Sequence, residues 1–138
     1  MAPYEIIEHT ADIGIRASGA TLEELFQNAA IGMFSMITDL DRIEDTQALT
    51  VKVEAEDREM LLVEWLNELL YHFDSQDMLF NRFIITRLSE TGLKAVAYGE
   101  PIDHAKHDLK TDVKAATYHM LKIRNVGGVL SAEVIFDV

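Results

Sequence analysis

Acidic groups at the two ends of the sequence could bind a cation. Asp137 is followed by Val138, so if the chain ends there, a side-chain carboxylate and an α-carboxylate are one residue apart. Asp12 closes the tetrapeptide His-Thr-Ala-Asp, at a predicted junction between two strands. Calcium and magnesium prefer such oxygen ligands. In the tetrapeptide, His9 could alternatively be a general base. Each motif also has an explanation without function: a tight turn for the tetrapeptide and a frayed acidic terminus for Asp137.

Two further segments carry side chains that could do chemistry. His104 and His107 are three residues apart among acids, which imitates a zinc or iron site, but no helical pattern accompanies them and a polar surface loop is favoured. His119 is expected to be a hydrogen-bonded histidine on the core side of a strand. Lys114 is expected on the exposed side, where it could contact a phosphate or an acidic partner, or simply be solvated. No phosphate-binding loop, nucleophile elbow or dinucleotide fingerprint occurs, so the sequence does not indicate an enzyme.

Composition narrows the class of protein. With 138 residues and 15.6 kDa, the chain is expected to form a single domain over 1–138. The absence of cysteine excludes disulfides, thiolate-bound zinc and a thiol nucleophile. Asp and Glu number 24 against 12 Lys and Arg, and the net charge of −12 disfavours nucleic acid and favours cations or basic proteins. Since no long apolar run occurs and the start lacks a basic segment, a soluble cytoplasmic protein without membrane contact is expected.

Local patterns predict two helices. A capping box, Thr21 to Glu24, opens the first, and Asp57 is a plausible N-cap for the second. Each helix is expected to bury one apolar stripe. The two stripes are Leu22, Leu25, Phe26, Ala29, Met33, Phe34 and Ile37, and Leu62, Trp65, Leu66, Leu69, Leu70 and Phe73.

Alternating apolar and polar residues predict strands in the rest of the chain. Hairpin turns are expected at 89–92 and 125–128, the second between long strands over 113–123 and 129–137. The predicted fold is α+β, with two helices packed on one face of a largely antiparallel β-sheet. Alternation places Asp12, Lys114 and Asp137 together on the open face of that sheet.

Longer strings, taken together, resemble the archease family. They are HTADIGIRASG, LEELFQNAAIGMFSMI, LLVEWLNELLYHFD, GEPIDHAKHDLKTDVKAATYHMLKI and VIFDV, and they follow the family order over nearly the whole chain. The resemblance implies a two-layer archease-like sandwich and a protein that is not itself an enzyme. It implies an activator of the RtcB-type tRNA-splicing RNA ligase that promotes guanylylation, multiple turnover and broadened nucleotide use, and that meets tRNA only indirectly.

The same resemblance implies a site for a divalent metal, usually calcium. Its ligands would be Asp12, Asp137 and Val138, and Lys114 would be a surface contact to the partner. Whether the ion is structural or passed to the ligase stays open. Two other functions are weighed beside this one: a chaperone-like adaptor for several RNA-processing enzymes, and a metal-dependent hydrolase using His9 or His107.

Overall fold

The computed structural model describes residues 2–8 and 13–138. Over those ranges the chain forms two α-helices and antiparallel strands, and a short 3-10 helix follows the first α-helix at Leu40–Arg42. The elements, in chain order, are β1 (Tyr4–Glu8), β2 (Ile13–Gly19), α1 (Leu22–Ile37), β3 (Gln47–Glu54), α2 (Arg58–Gln76), β4 (Met78–Leu88), β5 (Gly92–Pro101), β6 (Ala115–Ala116), β7 (Arg124–Val126) and β8 (Val129–Asp137).

Both helices begin at the predicted caps. The Thr21 hydroxyl accepts from the Glu24 amide at 3.1 Å, and the Glu24 carboxylate reaches back to the amide of Ala20 at 3.2 Å. The Asp57 carboxylate accepts from the amide of Met60 at 2.8 Å. These local bonds satisfy amides that lack partners inside the helix, which is why the helix starts could be read from the sequence.

The strands form two sheets. In one sheet the order is β1-β2-β8-β6, with β7 also paired to β8, and in the other it is β3-β5-β4. The predicted α+β class, with two helices and antiparallel strands, is confirmed, although alternation alone indicated one sheet. The division depends on which strands pair. Of the partners of β8, β2 lies more than 100 residues earlier in the chain and β6 about 20 residues earlier.

One cluster of buried apolar side chains joins both helices to both sheets. Trp65 on α2 is fully buried, and its indole nitrogen donates to the Phe26 carbonyl on α1 at 3.0 Å. The ring of Phe34 packs against those of Phe80 and Phe83, with centroids 5.7 and 5.9 Å apart. Neither described helix is long and apolar enough to cross a lipid bilayer.

The predicted strand over 113–123 is wrong in extent. Only Ala115 and Ala116 pair with β8, and Met120 has a left-handed backbone with φ of 54°, which an extended strand cannot contain. The amides just before this strand bond elsewhere: those of Lys110 and Thr111 donate to the carbonyls of Ile37 and Met36 at the end of α1. Residues 110–111 therefore cap the end of α1 just before the segment predicted as a strand.

Candidate functional site

The end of β8 lies between two neighbouring strands. Phe136 is paired with Ile13 of β2, and Asp137 is paired with Ala115 of β6. The alternation predicted for β8 is confirmed, because Val134 and Phe136 are buried and Asp137 is exposed. Val138 is 56% exposed. Asp137 and Val138 thus face solvent at this edge of the sheet.

The backbone of Lys114 lies next to that of Asp137, and the shared face of their side chains stays a prediction, because the residue paired in register with Asp137 is Ala115. The Lys114 amide donates to the Asp137 carbonyl at 2.8 Å, and the Lys114 side chain is exposed. Asp12, the third predicted member of this face, precedes Ile13 in the sequence and lies outside the described residues, as does His9. The structure therefore brings together Lys114, Asp137 and Val138 and leaves the placement of Asp12 a prediction.

The Asp137 carboxylate forms no ion pair with the described residues, so its oxygens could bind a ligand. Further along the same sheet, Arg16 neutralises acids by pairing with Glu133 at 2.9 Å and with Glu5 at 3.4 Å. No such pair joins Asp137 to another residue within 2–8 or 13–138. Within those same ranges no three His, Asp or Glu side chains gather as a metal cluster.

The short strand β6 is positioned by an amide side chain that the sequence analysis did not single out. Asn67 on α2 accepts from the Ala116 amide at 2.8 Å and donates to the Ala116 carbonyl at 3.2 Å. On the other side, the Thr117 amide and hydroxyl both donate to the Ile135 carbonyl, at 3.0 and 2.9 Å. Asn67 stands out only as an amide within an apolar helical stripe, which is a weak signal. Asn67 thereby holds β6, the strand that directly follows Lys114.

The segment with two histidines holds a buried polar cluster. The expected polar surface loop is right for His104, which is exposed, and wrong for His107, which is 2% exposed. His107 Nδ1 accepts from the Asp103 amide at 3.0 Å, so the proton lies on Nε2, which donates to Glu100 and to the Arg42 carbonyl, each at 3.0 Å. Both ring nitrogens are occupied, which leaves neither free for a metal.

Glu100 is the acidic centre of that cluster. Besides His107, its carboxylate accepts from the Lys106 ammonium at 2.7 Å and from the Glu44 amide at 2.7 Å. Burial alone would raise the pKa of Glu100, but the bonds from Lys106, the Glu44 amide and His107 outweigh burial and lower the pKa to about 2. The cluster ties the segment before β6 to the turn after α1, so its role is to hold the loop that carries Lys114.

His119 differs from its predicted environment. It was expected on the core side of a strand, but the chain there is a loop and His119 is exposed. Tyr118 and Lys122 are exposed as alternation predicted, and Val113 and Ile123 are buried as predicted. The error follows from extending a period of two through residues that are not a strand.

A protein-family model and curated proteins both match this chain over almost its whole length. Residues 4–138 match the model of the Archease protein family (MTH1598/TM1083). The protein called Protein archease from Sulfurisphaera tokodaii is 41% identical over 140 residues, and the one from Pyrococcus abyssi is 42% identical over 142. Each alignment covers 100% of both chains.

Two solved structures share the fold. The solution structure of Methanobacterium thermoautotrophicum protein 1598 superposes with a TM-score of 0.86 at 38% identity and covers 100% of both chains. The Thermotoga maritima crystal structure, described as an archease and possible chaperone, has a TM-score of 0.66 at 30% identity and covers 96% of this chain and 94% of that one. The resemblance seen in the sequence strings is thereby confirmed.

Proposed function

This chain belongs to the archease family, and from that premise we propose that it is a cytoplasmic, metal-binding accessory protein that activates an RtcB-type tRNA-splicing RNA ligase. Archeases are an accessory family and not a catalytic one. The proposed activity is to promote guanylylation of the ligase, and with it multiple turnover and use of further nucleotides. The observation that carries the proposal is the joining of Lys114 to Asp137 on one exposed sheet edge in a chain that matches the family from residue 4 to its end.

The proposed metal ligands are Asp12, Asp137 and the backbone oxygens of Val138. The donors fit a hard cation, since all are oxygen atoms and both residues within the described ranges are exposed, so water can complete the shell. Calcium is the better fit of the common divalent ions because it accepts irregular geometry. The Asp137 carboxylate would hold the ion at the sheet edge, where a bound cation could meet the ligase surface.

Lys114 would contact the ligase beside that ion. Its amide is fixed by the Asp137 carbonyl, which leaves the side chain free to reach a partner. A flexible ammonium on a fixed backbone suits contact with a phosphate or a carboxylate. The proposed face would thus present a cation-binding carboxylate and a positive side chain from adjoining backbone positions to the same partner.

Ligase turnover in the presence of matched variants tests the proposal. Asp12→Ala, removal of Val138 and Lys114→Glu should each lower the number of ligation cycles per ligase by at least about tenfold, the effect of losing one charged contact of about 1.4 kcal/mol. Lys122→Glu, which makes the same change at an exposed position of the next loop, should keep wild-type activation. Full activation by all three variants would show that this face is not the functional one.

A chaperone-like adaptor is the second candidate, since the Thermotoga maritima relative is described as a possible chaperone. An adaptor would raise the solubility or alter the specificity of several RNA-processing enzymes without preferring the ligase. Affinity measured against a panel of purified RNA-processing enzymes separates the two functions. Equal affinity for every member, unchanged by Lys114→Glu, would favour the adaptor.

A further inference from the structure

A row of three cations crosses the outer face of the β3-β5-β4 sheet. Lys94 on the central strand β5 is paired in register with Lys52 of β3 on one side and with Arg87 of β4 on the other. All three side chains are exposed and line one open cleft of about 530 Å³. The strands are about 4.8 Å apart, so the row is roughly 10 Å long.

A β-bulge completes the row. The register of β4 against β5 shifts between Ile85 and Arg87, and Thr86 is the extra residue. Without the shift, Thr86 would lie opposite Lys94 and the third cation would be displaced. The Thr86 hydroxyl donates to the Lys94 carbonyl at 3.1 Å, which holds the bulge in place. Bulges of this kind serve to redirect side chains.

The row is unfavourable for folding. Like charges directly opposite each other on neighbouring strands repel and destabilise a sheet. The chain has 24 acidic residues with which to neutralise them, yet no ion pair joins Lys52, Arg87 or Lys94 to an acid among the described residues. Glu54 lines the same cleft without pairing with them. Such a row is stabilised by an external anion.

The rest of the face suits a nucleic acid strand better than an acidic peptide. Four residues further along β5, Tyr98 is paired with Arg82, and the Arg82 guanidinium carbon lies 3.8 Å from the centre of the Tyr98 ring. Ile84, which is 41% exposed, lies between this stack and the cations. Guanidinium planes, aromatic rings and apolar side chains on an open sheet are the surfaces on which unpaired bases stack.

We propose that this face, the cationic row (Lys52, Lys94, Arg87) with the Arg82–Tyr98 stack, binds the backbone and bases of single-stranded RNA. A row of this length can meet two or three consecutive phosphates while the bases extend towards Arg82. The net charge of −12 disfavours nucleic acid overall, but screening in salt limits that repulsion to about 8 Å, so the local cations decide whether RNA binds. The proposal is independent of the ligase and of the metal site on the other sheet.

Fluorescence anisotropy with a labelled single-stranded RNA of about 12 nucleotides tests the face. The variant Lys52→Gln/Arg87→Gln/Lys94→Gln should bind at least tenfold more weakly than wild type. The matched control Lys110→Gln/Lys122→Gln/Arg124→Gln removes the same charge from exposed positions elsewhere and should bind like wild type. The wild-type slope of log affinity against log salt should be about −2, falling towards zero in the face variant.

Separate control measurements test whether the variant still folds and whether the ligand is RNA and not any polyanion. The melting temperature of the face variant should equal or exceed that of wild type, because losing the three positive charges relieves their mutual repulsion. Glu54→Gln should tighten RNA binding several-fold without touching the cations. Absence of wild-type binding at low salt, equal weakening in the control variant, or equal competition by poly-glutamate would each overturn the proposal.

Discussion

Glu100 shows how one half-buried carboxylate can make stability depend on pH. Its three donors come from a lysine, a histidine and a backbone amide in different segments. Because its pKa is lowered from 4.5 to about 2, the stabilisation is complete above pH 4.5 and is lost as the pH falls towards 2. Part of it is discounted because Lys106 is 30% exposed, which leaves on the order of 2 kcal/mol.

Glu100→Gln should therefore lower the free energy of unfolding by on the order of 2 kcal/mol near neutral pH and by roughly half as much near pH 3, where the folded-state carboxylate is still mostly ionised. Urea unfolding of both proteins at the two pH values measures the difference. Glu90→Gln, in the exposed turn between β4 and β5, should have no comparable effect. If Glu100→Gln lowers the free energy of unfolding equally at both pH values, the ionised form of Glu100 is not what stabilises the fold.

Single-residue predictions succeeded where the deciding information was local. The exposure of Asp137 followed from alternation along β8, a property of adjacent residues, whereas Lys114 is exposed but lies just outside the two-residue strand β6. The environment of His107 depends on Arg42 and Glu100, and the two residues come near it only when the chain folds. His119 was misplaced because the strand assigned to it ends at Ala116 in the fold, seven residues earlier than in the predicted pattern.

At the scale of elements, the strength of local signals decides what a sequence reveals. Both helices have caps and apolar stripes inside their own segments, and both were predicted. Strand β6 has two residues, and its existence depends on α2 and β8, which are distant in sequence. No local pattern could separate this two-residue strand from the loops that flank it.

Asn67→Ala should loosen β6 without unfolding the helix. Removing both bonds leaves the amide and carbonyl of Ala116 without partners, and Ala116 is 5% exposed, so the cost is about 1–3 kcal/mol. Hydrogen exchange should show a faster amide at Ala116, and ligase activation should fall with it, since β6 positions Lys114. Glu64→Ala, at an exposed position of the same helix, should leave exchange at Ala116 unchanged. Unaltered exchange in Asn67→Ala would mean that β8 alone holds the strand.

The whole molecule carries its charge unevenly between its two sheets. The sheet with β8 ends in exposed carboxylates, whereas the β3-β5-β4 sheet bears the cationic row. The division into two sheets, which local alternation could not predict, is what separates these surfaces. Sequence alone gave the net charge and the outward positions, but the alignment of Lys52, Lys94 and Arg87 depends on register and on the bulge at Thr86.

Calcium should stabilise the whole fold if the ion joins Asp12 to the end of β8, because a site made of ligands so distant in sequence would exist only in the folded chain. At a calcium concentration about 100 times the dissociation constant, the free energy of unfolding should rise by about 2.7 kcal/mol, and a chelator should reverse the rise.

A chain of charge −12 also gains stability from any cation that screens its self-repulsion, so specificity needs its own control. Asp137→Asn and the exposed Asp112→Asn remove the same charge, but only Asp137→Asn should abolish the calcium-dependent rise in salt of about 0.15 M, where diffuse screening is already present. If the rise persists in Asp137→Asn or disappears equally in both variants, calcium acts through the overall charge, and the ligand set at the end of β8 is refuted.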